Sequence, residues 1–310
     1  MTIDSIIHPD THTKLIEMTK THYSFQDGSK LPVHNGVPIL FGVDSIFSAE
    51  DIIHSKTTTQ SSDYLNTSNT KNYIRRKLLP SLCTDFNIEE RYNQLAELAP
   101  NNGKVLVVGA GEKIAYYKNK FKNCEVITSD VHSQFKPDYV FDGHFIPFIN
   151  DTFDVVLAAQ VIEHTINPWK FCQELQRVTK LGGVLQIEAP HNFPYHAEPY
   201  DFYRFTYTGM RSLFPECEVL KAKITEGNAA VVAITLSNYF VNLSSKKIIR
   251  SGFLFVTRIL FGWFKYLDKR KVMPNRRTVS MPKGYAFTFK KDNIKRNSKE
   301  LLKGFYTLKK

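Results

Sequence analysis

Proton-accepting and aromatic side chains are concentrated in one segment of the chain, PHNFPYHAEPYDFYRFT, which spans residues 190–206. His191 and His196 can accept a proton near neutral pH, so both are candidate catalytic residues. The neighbouring polar groups are candidates for orienting an acceptor molecule: Tyr195, Asp201, Tyr203 and Arg204. The alternative is that each histidine only caps a loop, and the residue types alone leave these two interpretations evenly balanced.

A second pattern could hold a ligand against bare main chain. In VLVVGAGEK, residues 105–113, an apolar run ends in Gly109, Ala110 and Gly111. Such a turn lets a ligand approach the backbone closely, although it also occurs as a plain tight turn. Asp130 ends the next predicted strand, and an acid at this place can bind both hydroxyls of a ribose. The ligand is then either a dinucleotide or an adenosine compound without phosphates.

The elements that must position these residues alternate between strands and helices. We predict strands at 104–108, 125–129, 139–141, 153–159 and 184–190, with helices at 112–121 and 169–179. Unbroken apolar strands alternating with helices indicate a parallel sheet that is covered on both faces. Ligands of such sheets bind at the carboxyl ends of the strands, which is where both patterns fall.

Three segments resemble the class I S-adenosylmethionine-dependent methyltransferases, in the branch that acts on small molecules and lipids. They are VLVVGAG, the run DGHFIPFINDTFDVVLAAQVIEH, and NPWKFCQELQRVTKLGGVLQIEAP, and the resemblance covers about residues 101–225. The middle run is the most specific of the three. The P-H-…-R-F-T segment further resembles family members encoded among cell-surface glycan enzymes.

The resemblance implies an α/β fold with a seven-stranded Rossmann-like sheet and S-adenosyl-L-methionine as the cofactor. Gly109, Ala110 and Gly111 would then lie against the methionine part, Asp130 would hold the ribose, and Val131 would pack on the adenine. The remaining expected contacts are Asp142 and Gly143 at the adenine edge and Gln160 near the sulfonium. Glu163 and His164, which invite a catalytic interpretation, are expected to be architectural.

Two positions depart from the family pattern. Val107 stands where the family usually has an acid, and Lys113 stands where it often has a third glycine. These departures keep open a non-catalytic cofactor-binding module with the same fold. The expected reaction is methyl transfer to an oxygen of a sugar or lipid-linked glycan intermediate, with another small molecule or lipid as the alternative acceptor. Nucleic acid is not the expected acceptor, because AAQVIEH lacks the N-P-P-Y type of segment that grips a planar amine.

The chain divides into five predicted regions. Residues 1–60 form a small β-rich module that resembles a zinc-ribbon-like unit but has no cysteines, so no metal is expected there. Residues 61–100 are a linker and helical cap, and 101–226 with 280–292 form the methyltransferase domain, whose last strand is antiparallel at 284–290. A basic, apolar helical insertion occupies 227–279, and 293–310 form a basic tail.

Charge and cysteine usage bear on the partners. After residue 245, 19 lysines and arginines stand against three acids, so this end carries +16, while the rest of the chain, at a total of +11, carries −5. The four cysteines have no zinc-ligand or disulfide spacing, which fits a reducing cytoplasm. The polar first residues predict no signal peptide, and no apolar run is long enough to span a bilayer.

The segment 246–271, KKIIRSGFLFVTRILFGWFKYLDKRK, is predicted to be one amphipathic helix. Its polar face would hold Lys247, Arg250, Arg258, Lys265 and Asp268, and its apolar face Ile248, Phe255, Ile259, Trp263 and Tyr266. Three roles remain open: packing on the domain's own core, docking on the cytoplasmic face of an anionic membrane, and binding RNA.

Overall fold

The computed structural model describes residues 3–54, 79–269 and 274–309. Of the predicted linker and helical cap at 61–100, residues 61–78 lie outside the described residues. Residues 79–82 of that stretch are described and are not helical.

A seven-stranded mixed sheet is the centre of the described structure, with the order β10-β11-β9-β8-β5-β6-β7. Its strands are β5 (Lys104–Val108), β6 (Glu125–Asp130), β7 (Tyr139–Val140), β8 (Phe153–Ala159), β9 (Thr179–Pro190), β10 (Cys217–Ile224) and β11 (Gly284–Lys291). Strands β5 to β9 pair in parallel, and β11 lies antiparallel between β9 and β10. The predicted Rossmann-like methyltransferase fold is confirmed.

Helices cover both faces of this sheet because the central strands are apolar on both sides. The helices are α2 (Ile88–Leu98), α3 (Ile114–Lys120), α4 (Pro168–Val178), α5 (Tyr207–Ser212) and α8 (Ser298–Tyr306). Val105 and Val107 of β5 face the α2 and α3 side, with Tyr92 and Phe121. Leu106 and Val108 face the other cluster, which contains side chains of α4 and α5. Helix α2, predicted as a cap, is therefore part of the domain core.

The predicted break between the helix at 169–179 and the strand at 184–190, which contains Gly182 and Gly183, is absent. Strand β9 begins at Thr179, directly after α4, and continues through both glycines. Its pairing with β8 shifts between Phe153↔Thr179 and Val155↔Val184, so the glycines lie in an irregular part of the strand. A bulge of this kind accommodates extra residues without ending the strand.

The N-terminal region forms its own antiparallel sheet, as predicted. Strands β1 (Leu15–Met18), β2 (His22–Phe25), β3 (Lys30–His34) and β4 (Val37–Pro38) follow one another in order, and the short helix α1 (Ala49–Ile53) comes after them. The module docks on the edge of the main sheet, where Leu40 N donates to the Val140 carbonyl at 2.7 Å and Ile39 bridges Val140. Its apolar side chains share a core with the main domain.

The insertion between β10 and β11 contains α6 (Asn228–Val241), α7 (Lys247–Phe261) and a 3-10 turn, Phe264–Asp268. The prediction of one continuous helix over 246–271 is wrong, because α7 ends at Phe261 and the chain turns at Gly262. Asp268 is consequently not on an exposed polar face. It is buried, and its carboxylate accepts hydrogen bonds from the backbone N–H groups of Ala229 and Ala230 at 3.2 and 2.8 Å, at the start of α6.

Two further features concern the ends of these regions. The insertion leaves and rejoins the sheet at cross-strand neighbours, since Ile224 of β10 pairs with Tyr285 of β11. The predicted basic tail contains α8, which begins with a capping box formed by Asn297 and Glu300. Helix α8 packs on α5, where the rings of Phe305 and Tyr207 lie 6.4 Å apart.

Candidate active site

A cavity of about 600 Å³ opens at the carboxyl ends of β5, β6 and β8. All the residues that the sequence analysis predicted to contact a cofactor line it: Gly109, Ala110, Gly111, Asp130, Val131, Asp142, Gly143 and Gln160. The volume is in the range of sites for small molecules and cofactors.

The turn after β5 requires glycine at two positions. Gly109 and Gly111 have φ angles of +69° and +53°, where L side chains are strained. A Cβ atom at Gly109 would also lie only 2.4 Å from Cγ2 of Val161. The Asp130 carboxylate holds this turn, because Gly111 N donates to Oδ2 at 2.9 Å and Val131 N donates to Oδ1 at 2.8 Å.

Asp142 connects the cavity to the N-terminal module. Its Oδ1 atom accepts hydrogen bonds from the backbone and the ring of His144, and its Oδ2 atom accepts one from Ser45 Oγ at 2.8 Å. Burial by itself raises the pKa of Asp142, but the hydrogen bonds from His144 and Ser45 outweigh it and hold the pKa below its usual range. The carboxylate is therefore charged at neutral pH.

Gln160 has a left-handed backbone directly after β8, with a φ of +57°. A hydrogen bond from its N–H to the Glu188 carbonyl, 2.9 Å long, fixes this conformation. Strained non-glycine backbone of this kind is concentrated at functional sites.

The segment 190–206 brings only part of its predicted residues to the cavity. His196 lines the cavity, and its Nδ1 atom lies 3.2 Å from Oδ2 of Asp201. Arg204 pairs with the same carboxylate, with contacts of 2.6 and 2.7 Å. Asp201 and Arg204 thus position His196 and are not themselves among the residues that line the cavity. Burial lowers the pKa of His196 even though the charge of Asp201 opposes this, so the ring is neutral near pH 7.

The other predicted residues of this segment lie away from the cavity lining. The ring of His191 packs on Tyr285, 5.4 Å between centroids, and its backbone N–H donates to the Lys283 carbonyl. Tyr195 is 58% exposed, and the hydroxyl of Tyr203 donates to the Ile166 carbonyl at 3.3 Å. Their predicted roles in catalysis and acceptor binding remain predictions without support from this geometry.

Glu163 and His164 lie in the loop that follows β8, in the 3-10 turn Ile162–His164. The Glu163 carbonyl accepts backbone hydrogen bonds from Phe202 and Tyr203, which ties this loop to the segment 190–206 in the architectural way that we expected. The Glu163 side chain has no such contact. It is fully buried, neither carboxyl oxygen has a hydrogen-bond partner among the described residues, and burial raises the pKa to about 8.

Several cavity residues were not predicted. Ile46 and Phe47 reach the cavity from the N-terminal module, and no local sequence signal identifies them. The opposite wall carries a Lys283–Glu226 ion pair of 2.7 Å, together with Glu188. Nε of Arg91 in α2 lies 2.8 Å from Oε1 of Glu188, and both side chains are buried. The polar sequence around Arg91 is typical of an exposed helix face, so it does not indicate this pair.

Comparison with known proteins bears on this cavity directly. Residues 95–187, which include β5 to β8, α3, α4 and most of β9, match the family model described as a methyltransferase domain. This part of the chain is therefore a methyltransferase domain. The match covers the glycine turn, Asp130, Asp142 and Gln160, so the predicted cofactor residues of this methyltransferase domain lie inside it.

Curated relatives match a short part of the chain. An uncharacterized methyltransferase of Mycobacterium tuberculosis is 40% identical over 45 residues, which is 14% of this chain and 18% of that protein. One from Mycolicibacterium vanbaalenii is 43% identical over 42 residues, 14% of this chain and 16% of that protein. The match thus spans less than a fifth of each relative.

Among solved structures, a Haemonchus contortus phosphoethanolamine N-methyltransferase 2 in complex with S-adenosyl-L-methionine aligns with a TM-score of 0.42 and 13% identity. The alignment covers 67% of this chain and 53% of that one.

Proposed function

We propose that this protein transfers the methyl group of S-adenosyl-L-methionine to a hydroxyl oxygen of a sugar or of a lipid-linked glycan intermediate. The observation that supports this most is a single cavity that carries the eight predicted cofactor residues on one side and His196, positioned by Asp201 and Arg204, on another. A cofactor and an acceptor can meet there.

The cofactor half of the proposal rests on the ends of β5, β6 and β8. The methionine part lies against the turn at Gly109 to Gly111, where the lack of side chains allows close approach. Asp130 receives the ribose hydroxyls with the lone pairs that its bonds to Gly111 and Val131 leave free. Asp142 and Gly143 meet the adenine edge, and Gln160 lies beside the sulfonium.

The acceptor half rests on the polar character of the remaining wall. Besides His196 it carries Asp85, Glu188, Glu226 and Lys283. Fixed donors and acceptors of this kind suit a molecule with many hydroxyl groups, because each hydroxyl both donates and accepts hydrogen bonds. A purely apolar lipid would offer these polar groups no hydrogen bonds.

The reaction itself requires alignment more than covalent help from side chains. The sulfonium is already an electrophile, so the protein holds oxygen, methyl carbon and sulfur in line and excludes water. The C–S bond breaks as the C–O bond forms, the electron pair stays on sulfur, and the acceptor hydroxyl loses its proton. We propose that His196 promotes this loss, since it lines the cavity and its ring is neutral near pH 7.

The test uses methyl-labelled S-adenosylmethionine and extract from the native cell, sorted afterwards into lipid, glycan and RNA fractions. We expect label in the glycan or lipid-linked glycan fraction, and none with the Asp130→Ala variant. Label confined to RNA or to another small-molecule class contradicts the acceptor. Cofactor binding in calorimetry without label in any fraction indicates the non-catalytic alternative.

A lipid-linked acceptor also predicts contact with a membrane, and helix α7 offers a surface for it. The helix packs on α6 through Thr257 and Ser237, whose hydroxyls lie 2.8 Å apart. Its outer side and the following turn expose Ile248, Phe255, Ile259, Trp263 and Tyr266, which we call the outer apolar face. No helix among the described residues is long and apolar enough to cross a membrane.

Charge and position favour an anionic membrane as the partner of the outer apolar face. Lys246, Lys247 and Arg250 are exposed at the start of α7, and each cation near an anionic leaflet contributes about 1 kcal/mol. The insertion begins directly after Glu226, which lines the cavity, and the ring of Tyr266 lies 5.7 Å from that of Phe86, next to Asp85 of the cavity wall. Docking would thus bring the cavity near lipid headgroups.

Sedimentation with vesicles tests this surface. The wild type should bind vesicles of anionic lipid, less at high salt, and the Phe255→Ser, Trp263→Ser double variant should stay in the supernatant. A Trp169→Ser, Leu181→Ser double variant is the control, because it removes two exposed apolar side chains elsewhere on the surface. Equal binding by both double variants, or no binding by the wild type, contradicts the proposal.

A further inference from the structure

One carboxylate and two imidazoles converge beside the cavity. Glu163, His164 and His196 each place one ligand-type atom within 4.8 Å of the others. His164 and His196 line the cavity, and Glu163 is buried behind them. The sequence analysis expected no metal because the cysteines have no ligand spacing, but these three side chains are of other ligand types.

The Glu163 side chain lacks the partners that a buried carboxyl group normally has. Nine-tenths or more of buried polar groups in proteins are hydrogen-bonded. Neither oxygen of Glu163 is, among the described residues. Nε2 of His164 lies 3.8 Å from Oε1, which is too far for a hydrogen bond. A buried, unpaired carboxyl group is costly, so a partner from outside the chain would stabilise it.

The first imidazole is oriented as a ligand. Nδ1 of His164 lies 2.5 Å from the Tyr200 carbonyl oxygen, which can only accept, so Nδ1 carries the proton. Nε2 therefore keeps its lone pair, and this is the nitrogen that faces Glu163. A histidine that binds a metal commonly donates its other ring N–H to a carbonyl or carboxylate in this way.

The second imidazole has a similar support. Nδ1 of His196 lies 3.2 Å from the Pro194 carbonyl, 3.2 Å from Oδ2 of Asp201 and 3.3 Å from Nη2 of Arg204. Donation by Nδ1 to either oxygen leaves the lone pair on Nε2. Arg204 in turn fixes the Asp201 carboxylate, which is completely buried. Asp201 thus orients the ring of His196, and Arg204 orients Asp201.

We propose that Glu163, His164 and His196 form a binding site for a divalent first-row transition metal ion at the cavity wall. Two imidazoles and a carboxylate suit Zn²⁺, Fe²⁺ or Co²⁺ better than Mg²⁺ or Ca²⁺, which prefer oxygen ligands. Ligand atoms about 2.1 Å from a tetrahedral metal lie about 3.4 Å apart, so separations of up to 4.8 Å must shorten by at most about 1.4 Å.

The role of such an ion rests on the proposed function. Three protein ligands leave a coordination position for a further oxygen. An ion held by these residues would lower the pKa of an acceptor hydroxyl, whose proton would pass out to the solvent as its oxygen takes the methyl group. His196 would then promote proton loss through the ion rather than by accepting the proton itself.

The test measures metal binding alone, without cofactor or acceptor. The full-length protein is freed of metal with a chelator, dialysed, and titrated with Zn²⁺ in a calorimeter and with Co²⁺ by its visible absorption. We expect one metal site per chain in the wild type. In Glu163→Gln and in His164→Asn, the dissociation constant should be about 10- to 100-fold higher. His191→Gln is the matched control, a histidine of the neighbouring segment that packs on Tyr285, and it should bind as the wild type does.

Unchanged affinity in both ligand variants, or no binding by the folded wild type, overturns the proposal. If Glu163→Gln does not fold, as judged by circular dichroism, His196→Asn takes its place. Methyl transfer and metal binding are separate measurements. Metal binding without methyl transfer therefore contradicts the proposed function alone, and methyl transfer by a protein that binds no metal contradicts this site alone.

Discussion

Alanine at Gly109 should destabilise the protein more than alanine at Gly111, although both glycines have a positive φ. The left-handed backbone costs an alanine about 1–2 kcal/mol, and this cost is common to both positions. A Cβ at Gly111 meets nothing within 4 Å, whereas one at Gly109 lies 2.4 Å from Val161 Cγ2. Forcing an extra carbon into a packed site costs about 1–3 kcal/mol more. We therefore expect a loss of about 1–2 kcal/mol for Gly111→Ala and about 2–5 kcal/mol for Gly109→Ala.

Urea unfolding followed by circular dichroism measures both values under the same conditions. A double-variant cycle assigns the difference to one contact. Val161→Ala should recover part of the loss in the Gly109→Ala background, because it removes the clashing methyl group, and should recover nothing in the Gly111→Ala background. Equal destabilisation of the two glycine variants, or an identical effect of Val161→Ala in both backgrounds, would contradict a clash between Gly109→Ala and Val161.

Three further predictions concern carboxyl groups in the cavity or next to it. Asp130→Asn removes a charged acceptor worth about 1.5–3 kcal/mol, so S-adenosylhomocysteine should bind about 10- to 100-fold more weakly in calorimetry, and unchanged affinity contradicts the proposed ribose contact. Ser45→Ala removes the hydrogen bond to Asp142 and should lower the free energy of unfolding by about 0.5–1.5 kcal/mol. The comparison is Ser48→Ala, which removes the N-cap of α1 and should leave the cofactor affinity unchanged. Burial raises the pKa of Glu163 from 4.5 to about 8, so between these pH values the folded protein retains a proton that the unfolded chain releases. With chelator present, the free energy of unfolding of the wild type should therefore fall by about 1.4 kcal/mol for each pH unit in this range. Glu163→Gln should lack this fall, and parallel pH profiles of the two proteins would contradict the prediction.

Local patterns were enough to predict the central sheet, and the resemblance to a family supplied the residues that we expect to contact a cofactor. Strand β8 is an unbroken apolar run, and its predicted limits, 153–159, agree with the structure. The antiparallel β11 was predicted from its alternation in spite of the long insertion before it. The predicted cofactor residues follow strand ends in a parallel sheet, so sequence order alone places them at one edge.

Contacts between distant residues could not be predicted in this way. Ser45 and Asp142 are 97 positions apart, and nothing in the local sequence of either indicates the other. Asp268 was placed on a polar face because the helical phase was continued through Gly262, where the helix ends. Glu163 was expected to be architectural, and only the folded chain shows that its main chain has that role while its side chain lies unpaired beside two imidazoles.

The junction at which the insertion leaves the sheet has an evolutionary consequence. Because Ile224 and Tyr285 are cross-strand neighbours, the ends of the intervening segment are held together by the hairpin itself. Each doubling of the length of such a loop costs only about 0.6 kcal/mol of closure entropy, so selection can lengthen, shorten or replace the segment with little effect on the fold. Thr225, Glu226 and Lys283 flank this junction and line the cavity. An exchange of the insertion between relatives would therefore change the residues next to the proposed acceptor part of the cavity. The proposed cofactor part is built on β5, β6 and β8 and would stay the same.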